Sequence, residues 1–264
     1  MPTITPVSES EKEGPIQTPR SIPAKAPSTG GRLVYAIGDV HGHAVVLDDL
    51  LGQIAADVEA SRPHEAPRLV FLGDYVDRGP DSRAVIDRIL ALVESGGFEV
   101  TALKGNHEDA LLKFLDDPAY AMSWIENWGE TTLRAYGIDP PWRADGGAQV
   151  RERFVAAFPD AHRAFLHGLS LRCEIGDYLF VHAGVRPDVP LEAQADRDLM
   201  WIRYDFLESD VDFGKVVVHG HTPAPRPQIR ANRIGIDTGV YYTGVLTAVR
   251  LQGETQRLIQ AVER

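Results

Sequence analysis

The chain has 264 residues, 44% of them hydrophobic and 25% charged, with a formal net charge of −11. Soluble globular proteins have such a composition, and the acidic balance argues against a nucleic-acid backbone as partner, which wants a basic surface. The one cysteine, Cys173, excludes an internal disulfide and a thiolate metal site, and no segment is apolar enough for a bilayer span or a secretory signal.

Residues 1–31 are rich in Pro, Ser, Thr, Lys and Glu and read as a disordered leader, with cytoplasm as the expected location. Residues 32–264 are then one catalytic domain. Arg32 to Ile37 reads as a strand closed by Gly38. Helical spacing follows over Ala44 to Ala60, with Val45, Val46, Leu47, Leu50, Leu51, Ile54 and Val58 on one broad face. Arg68 to Leu72 is a second strand. Asp81 and Ser82 can cap a helix over Arg83 to Ser95 that turns Val85, Ile86, Ile89, Leu90 and Val93 inward. Phe98 to Leu103 is a third strand, so the run β-α-β-α-β predicts parallel pairing with helices outside. His107 to His167 reads as mostly helical and carries Trp124, Trp128 and Trp142, expected mainly as packing, with a share in a substrate groove as the alternative. From Leu169 the pattern turns to strands: Leu169 to Ile175 (with Cys173 expected buried), Asp177 to Val181, Lys215 to Val218, Asn232 to Ile236, Gly244 to Leu251 and Arg257 to Val262.

Metal-type and phosphate-type residues fall at the C-terminal ends of these strands, where α/β sheets gather their ligands. The motifs are Gly38-Asp39-Val40-His41-Gly42, Gly73-Asp74-Tyr75-Val76-Asp77-Arg78-Gly79, Gly105-Asn106-His107-Glu108, His182-Ala183-Gly184 and His219-Gly220-His221-Thr222. Carboxylates with neutral imidazoles suit borderline or hard dications such as Mn, Fe or Zn. A guanidinium such as Arg78 forks onto phosphate oxygens. A histidine such as His107 titrates near neutrality and suits proton transfer. Each motif alone fits a turn or a structural histidine. Five of them, each behind an apolar strand, point to a dinuclear site.

The motifs GDVHG, GDYVDRG, GNHE, HAG and GHT, in that order, resemble the phosphoprotein phosphatase family of metallophosphoesterases, above all its bacterial and lambda-phage protein phosphatases. The resemblance spans Arg32 to the C-terminus. It implies an α/β metallophosphoesterase (calcineurin-like) fold, with a central β-sandwich of two mixed sheets flanked by helices. It implies two divalent metal ions, Mn first, with Fe, Zn or Mg as alternatives. Asp39 and His41 would hold one, Asp74 would bridge both, and Asn106, His182 and His221 would hold the other. A water or hydroxide shared by the metals would attack phosphorus in line. His107, oriented by Asp77, would protonate the leaving oxygen, and Arg78 and Arg203 would bind the phosphoryl group. The further C-terminal loop of the eukaryotic members has no evident equivalent here. Gly235-Ile236-Asp237-Thr238-Gly239 and Tyr241-Tyr242 stand near its place, with Asp237 expected as a turn residue and His219 as a residue facing the cleft behind the ligands.

The resemblance implies a metal-dependent phosphatase of Ser/Thr phosphates, with Tyr phosphates also in reach. The substrate is then a phosphoprotein or a small phosphate ester, with neither nucleic acid nor membrane as partner. A hydrolase of dinucleoside polyphosphates or other small phosphate esters is the alternative. A non-catalytic scaffold of the same fold is a third reading, opposed by the presence of every ligand and of the acid.

Overall fold

The computed structural model of the chain describes residues 26–139 and 146–263. The opening alternation is as expected: β1 (Leu33–Ile37), α1 (Ala44–Ser61), β2 (Arg68–Phe71), α2 (Ser82–Ser95) and β3 (Glu99–Ala102). A helical middle follows, with α3 (Asn106–Asp116), α4 (Ala121–Trp124), a π-helical turn at Ile125–Gly129, α5 (Glu130–Ala135), α6 (Gly146–Ala157) and α7 (Asp160–His167). The second half holds β4 (Arg172–Ile175), β5 (Tyr178–Val181), the short helices α8 (Asp196–Trp201) and α9 (Tyr204–Leu207), β6 (Val216–His219), β7 (Gln228–Ile229), β8 (Arg233–Gly235), α10 (Val240–Thr243), β9 (Val245–Gln252) and β10 (Thr255–Val262).

The strands form two five-stranded mixed sheets, ordered β10-β9-β1-β2-β3 and β4-β5-β6-β8-β7. β1, β2 and β3 pair in parallel, and β9 closes antiparallel on β1. In the other sheet β5, β6 and β8 are parallel. The period-2 alternation of strand side chains explains the layering. Val34 and Ala36 of β1 face Tyr178, Phe180, Val218 and Ile234 between the sheets. Leu33, Tyr35 and Ile37 face the other way, into the core under α1 and α2. Leu179 and Val181 of β5 likewise meet Leu199, Ile202 and Phe206 on the outer side of the second sheet. Both faces of the central strands are buried, so they read as continuous apolar runs.

Some expectations shift. Val45 and Val93 point to solvent, at 70% and 53% exposure, because each lies at the edge of its helix's apolar stripe. Cys173 is on β4 as expected but only partly covered, since β4 is the edge strand of its sheet. Ser28 to Gly31, assigned to the leader on composition, touch the body: Ser28 N–H donates to Asp177 Oδ2 at 2.9 Å and Thr29 N–H to Gly253 O at 3.1 Å, with Thr29 buried. Trp142 lies outside the described residues. No described helix is long and apolar enough to cross a membrane.

Candidate metal centre

Five loops at the C-terminal ends of β1, β2, β3, β5 and β6 converge, and backbone bonds zip them together. His41 N–H donates to Asp74 O at 2.8 Å, and Gly220 N–H to His182 O at 2.8 Å. Glu108 holds the loop after β2 in place. Its carboxylate accepts the N–H groups of Asp74 (2.8 Å), Tyr75 (2.7 Å), Val76 (3.3 Å) and Gly105 (3.0 Å). Burial and the nearby Asp74 push the Glu108 pKa up, against the pull of His107 and of those amides. The sequence shows Glu108 within its motif but not this role.

The backbone at the site is strained. Among the described residues, seven other than glycine have positive φ, and five of them are His41, Asp74, Asp77, Arg78 and His221. Such conformations are costly and persist where the surroundings over-determine them. Close packing adds a second constraint: a Cβ at Gly105 would overlap Asp74 Oδ1, and one at Gly220 would overlap Asp39 Oδ1.

Asp74 is the centre. Its Oδ2 lies 3.5 Å from His41 Nε2 and its Oδ1 lies 3.4 Å from His182 Nε2. Two triads of potential ligand atoms meet on it, His41–Asp74–His107 and Asp74–His182–His221, each with all atoms within 4.8 Å of one another. Ligands bound at about 2.1 Å to one ion stand about 3–3.5 Å apart, so these spacings suit a cation on each side of Asp74. Asn106 Oδ1 joins the second triad, 2.9 Å from His182 Nε2 and 2.8 Å from His221 Nδ1.

Tautomers support the fit. His41 Nδ1 is 2.9 Å from Val76 O and His182 Nδ1 is 2.9 Å from Leu72 O, so each outer nitrogen carries the hydrogen. The inner Nε2 lone pairs then face oxygen acceptors, an arrangement that a cation resolves. The rings are neutral: burial lowers the His41 pKa to about 4, that of His221 to about 2, and that of His182 below the ordinary value. Burial opposes the charge on Asp74, but the surrounding imidazoles, His182 foremost, hold its pKa below the usual carboxylate range. The His107 N–H, in the first turn of α3, also donates to Asp74 Oδ1 at 3.1 Å.

Asp39 stands apart from both triads. Its carboxylate accepts the His221 N–H at 3.0 and 3.2 Å. Burial, then Asp237 and Asp74, push its pKa well up. Asp237, expected as a turn residue, does hold a turn, accepting the Gly239 N–H at 2.8 Å. It is also buried beside Asp39, with a pKa raised by burial to about 7. Crowded buried carboxylates are a donor set that a cation stabilises.

His107 and Asp77 form a dyad, with Nδ1 to Oδ2 at 2.7 Å. Asp77 is fully buried, and Thr132 Oγ1 (2.6 Å) and Trp124 Nε1 (3.3 Å) both donate to it. Burial would lower the His107 pKa, but Asp74 and Asp77 outweigh it and raise it to about 9. Thr132 and Trp124 come from the helical middle, and the motifs do not disclose them. Trp124 is a core residue packed on Phe114 and Phe154. The π-helical turn carries Trp128, whose ring lies 5.3 Å from that of His107. Trp201 and Tyr241 stand against His221 (6.2 Å) and His41 (5.3 Å), completing an aromatic rim. Arg203 Nε donates to His221 Nε2 at 3.1 Å. Arg78 is exposed, with its guanidinium 5.1 Å from the Tyr241 ring centroid. His219 does not face the cleft as expected: its Nε2 is 3.3 Å from Arg233 Nη1 and its ring packs on Phe206, because the last residue of β6 alternates away from the site.

The family model for calcineurin-like phosphoesterases matches residues 33–245. The chain belongs to that family. It is similar to a bis(5'-nucleosyl)-tetraphosphatase (PrpE, asymmetrical) of Geobacillus, 27% identical over 81% of this chain and 88% of that protein. It is also similar to serine/threonine-protein phosphatase 1 of Salmonella typhimurium, 29% identical over 90% of this chain and the whole of that one. A structure solved as a candidate diadenosine tetraphosphatase superposes with a TM-score of 0.62 at 19% identity, covering 91% of this chain and all of the other. The resemblance to the phosphoprotein phosphatases and the fold expected from it are therefore borne out, and the family member is a metal-dependent phosphoric ester hydrolase.

Proposed function

We propose that this chain hydrolyses phosphomonoesters with poor leaving groups, phosphoserine and phosphothreonine of proteins before all. The supporting observation is the His107–Asp77 dyad, built with four buried groups at the edge of the metal centre. A serine or threonine alkoxide is a strong base and needs a proton as it leaves. A nucleotide expelled from a polyphosphate is a far weaker base and gains little from such an acid.

In this reading Asp39, His41 and Asp74 would hold the first cation, and Asp74, Asn106, His182 and His221 would hold the second. Two dications would supply Lewis acidity toward the phosphoryl oxygens and an attacking water acidic enough for neutral pH, with Mn as the first candidate. His107 Nε2 carries the proton for the leaving oxygen, and Asp77 fixes the ring by taking the hydrogen of Nδ1. Arg78, beside Tyr241, and Arg203, beside His221, would draw the phosphate dianion in. His107 stands in the first triad, but its Nε2 is 3.9 Å from Asp74 Oδ2, farther than that of His41. Unlike His41 and His182, its ring has a raised pKa, held up by Asp74 and Asp77, so Nε2 keeps a proton, which favours the acid's role.

The aromatic rim, with Trp128 and Trp201 at 6.2 Å, supports a second reading, a dinucleoside polyphosphate hydrolase, since bases stack on such rings. Turnover of a phosphoserine peptide and of diadenosine tetraphosphate by one Mn-loaded preparation separates the two. A higher kcat/KM for the peptide is expected, and a large preference for the nucleotide overturns the first reading.

A further inference from the structure

Arg78 and Tyr241 come from distant parts of the chain. Arg78 sits in the strained loop after β2, and its side chain makes no hydrogen bond or ion pair among the described residues. Its guanidinium carbon lies over the face of Tyr241, 5.1 Å from the ring centroid. Tyr241 itself has two aromatic neighbours. Its ring meets His41 edge-on at 5.3 Å, and Tyr242 packs against it at 5.1 Å.

The helical turn that carries Tyr241 is fixed. Gly239 and Gly244 bracket α10 in left-handed conformations, and Thr243 Oγ1 donates to Thr238 O at 2.8 Å. Gly239 is also covered by the Tyr242 ring, where a Cβ would overlap it. A rigid aromatic face thus stands where a long, flexible cation needs a support. A guanidinium over such a face loses rotamer freedom before it meets its anion, and part of the ordering cost of binding is removed in advance.

We infer that Tyr241 is a positioning residue for phosphate binding, holding Arg78 by its ring face at the mouth of the metal centre. The inference rests on Arg78 being a phosphate ligand, and its test separates the two ideas. The hydroxyl has no part in this, so Tyr241→Phe keeps the function. Tyr241→Leu keeps apolar volume against His41 but removes the π face.

The test is the affinity of the Mn-loaded enzyme for inorganic phosphate, measured by calorimetry and as competitive inhibition of p-nitrophenyl phosphate hydrolysis. Arg78→Ala should weaken phosphate binding. Tyr241→Leu should weaken it by about 2- to 30-fold, the range that such contacts support, and raise KM more than it lowers kcat. Tyr241→Phe should match the parent. The double variant Arg78→Ala, Tyr241→Leu should bind no worse than Arg78→Ala alone, because the ring acts through the arginine. Mn affinity, read by titration without phosphate, should stay unchanged, which distinguishes positioning of Arg78 from damage at His41. Equal losses in the two single variants that add in the double overturn the inference, as does unaltered phosphate affinity in Tyr241→Leu. Unaltered affinity in Arg78→Ala overturns the phosphate-ligand reading of Arg78 and this inference with it.

Discussion

Asp77 Oδ2 stands 2.7 Å from His107 Nδ1, and neither residue is open to solvent. That bond leaves Nε2 of His107 as the nitrogen on the side of Asp74 and favours the protonated ring. His107→Asn should retain the metals but slow an alkyl phosphate by about 10²–10⁴-fold, the usual worth of a placed proton donor. An aryl ester such as p-nitrophenyl phosphate leaves without help and should slow much less. Steady-state rates on the two esters check this, and equal losses would remove His107 from the acid's role.

The same pair predicts a pH effect. The acid works while protonated, and Asp74 and Asp77 raise its pKa to about 9 against the pull of burial. Activity on alkyl esters should therefore fall as pH climbs through the alkaline range. Asp77→Asn removes one of the two charges, so the fall should begin at lower pH. Profiles of kcat/KM for both proteins measure the displacement, and an unmoved alkaline limb would refute the assignment.

Acid should undo the fold at the histidines. The His41 pKa is lowered by burial from 6.5 to about 4, so between these values the unfolded chain binds more protons than the folded one. Stability is thus present above about pH 6.5 and lost as pH falls toward 4, by up to ~3 kcal/mol for this one ring. Metal binding needs the same unprotonated nitrogens and should weaken in the same direction. Thermal melts at pH 7 and pH 5, with and without Mn, test both, and a melting point independent of pH over that span would count against buried neutral rings.

Glu108 anchors four amides. Glu108→Gln offers one acceptor oxygen and turns an NH2 toward two N–H donors, so about 2–4 kcal/mol of stability should go. Chemical denaturation measures the loss. A change below about 0.5 kcal/mol, the level of an ordinary surface substitution, would deny the carboxylate this role.

Much of this architecture was legible in the residues. Apolar runs closed by Gly38 and Gly73, with helical spacing between, gave β1, α1 and β2, because strands buried on both faces leave no polar alternation to confuse the reading. The converging side chains could be read because each directly follows such a strand. What stayed hidden depends on long-range packing. Thr132 and Trp124 reach Asp77 from 55 and 47 residues away, and neither residue type signals a buried carboxylate partner. Asp237 has an ordinary turn sequence around it, and only the tertiary fold sets it beside Asp39. The short helices α8, α9 and α10 are too brief for a periodic pattern, so the placement of Trp201 and the contacts of Tyr241 with His41 and Arg78 could not be read.

The account turns on Asp74 presenting one oxygen to each of two cation sites. Anomalous diffraction from crystals of the Mn-loaded protein tests this directly. Two Mn peaks about 3.5–4 Å apart are predicted, with Asp74 bonded to both. A single peak, or two too far apart for one carboxylate to span, would contradict it.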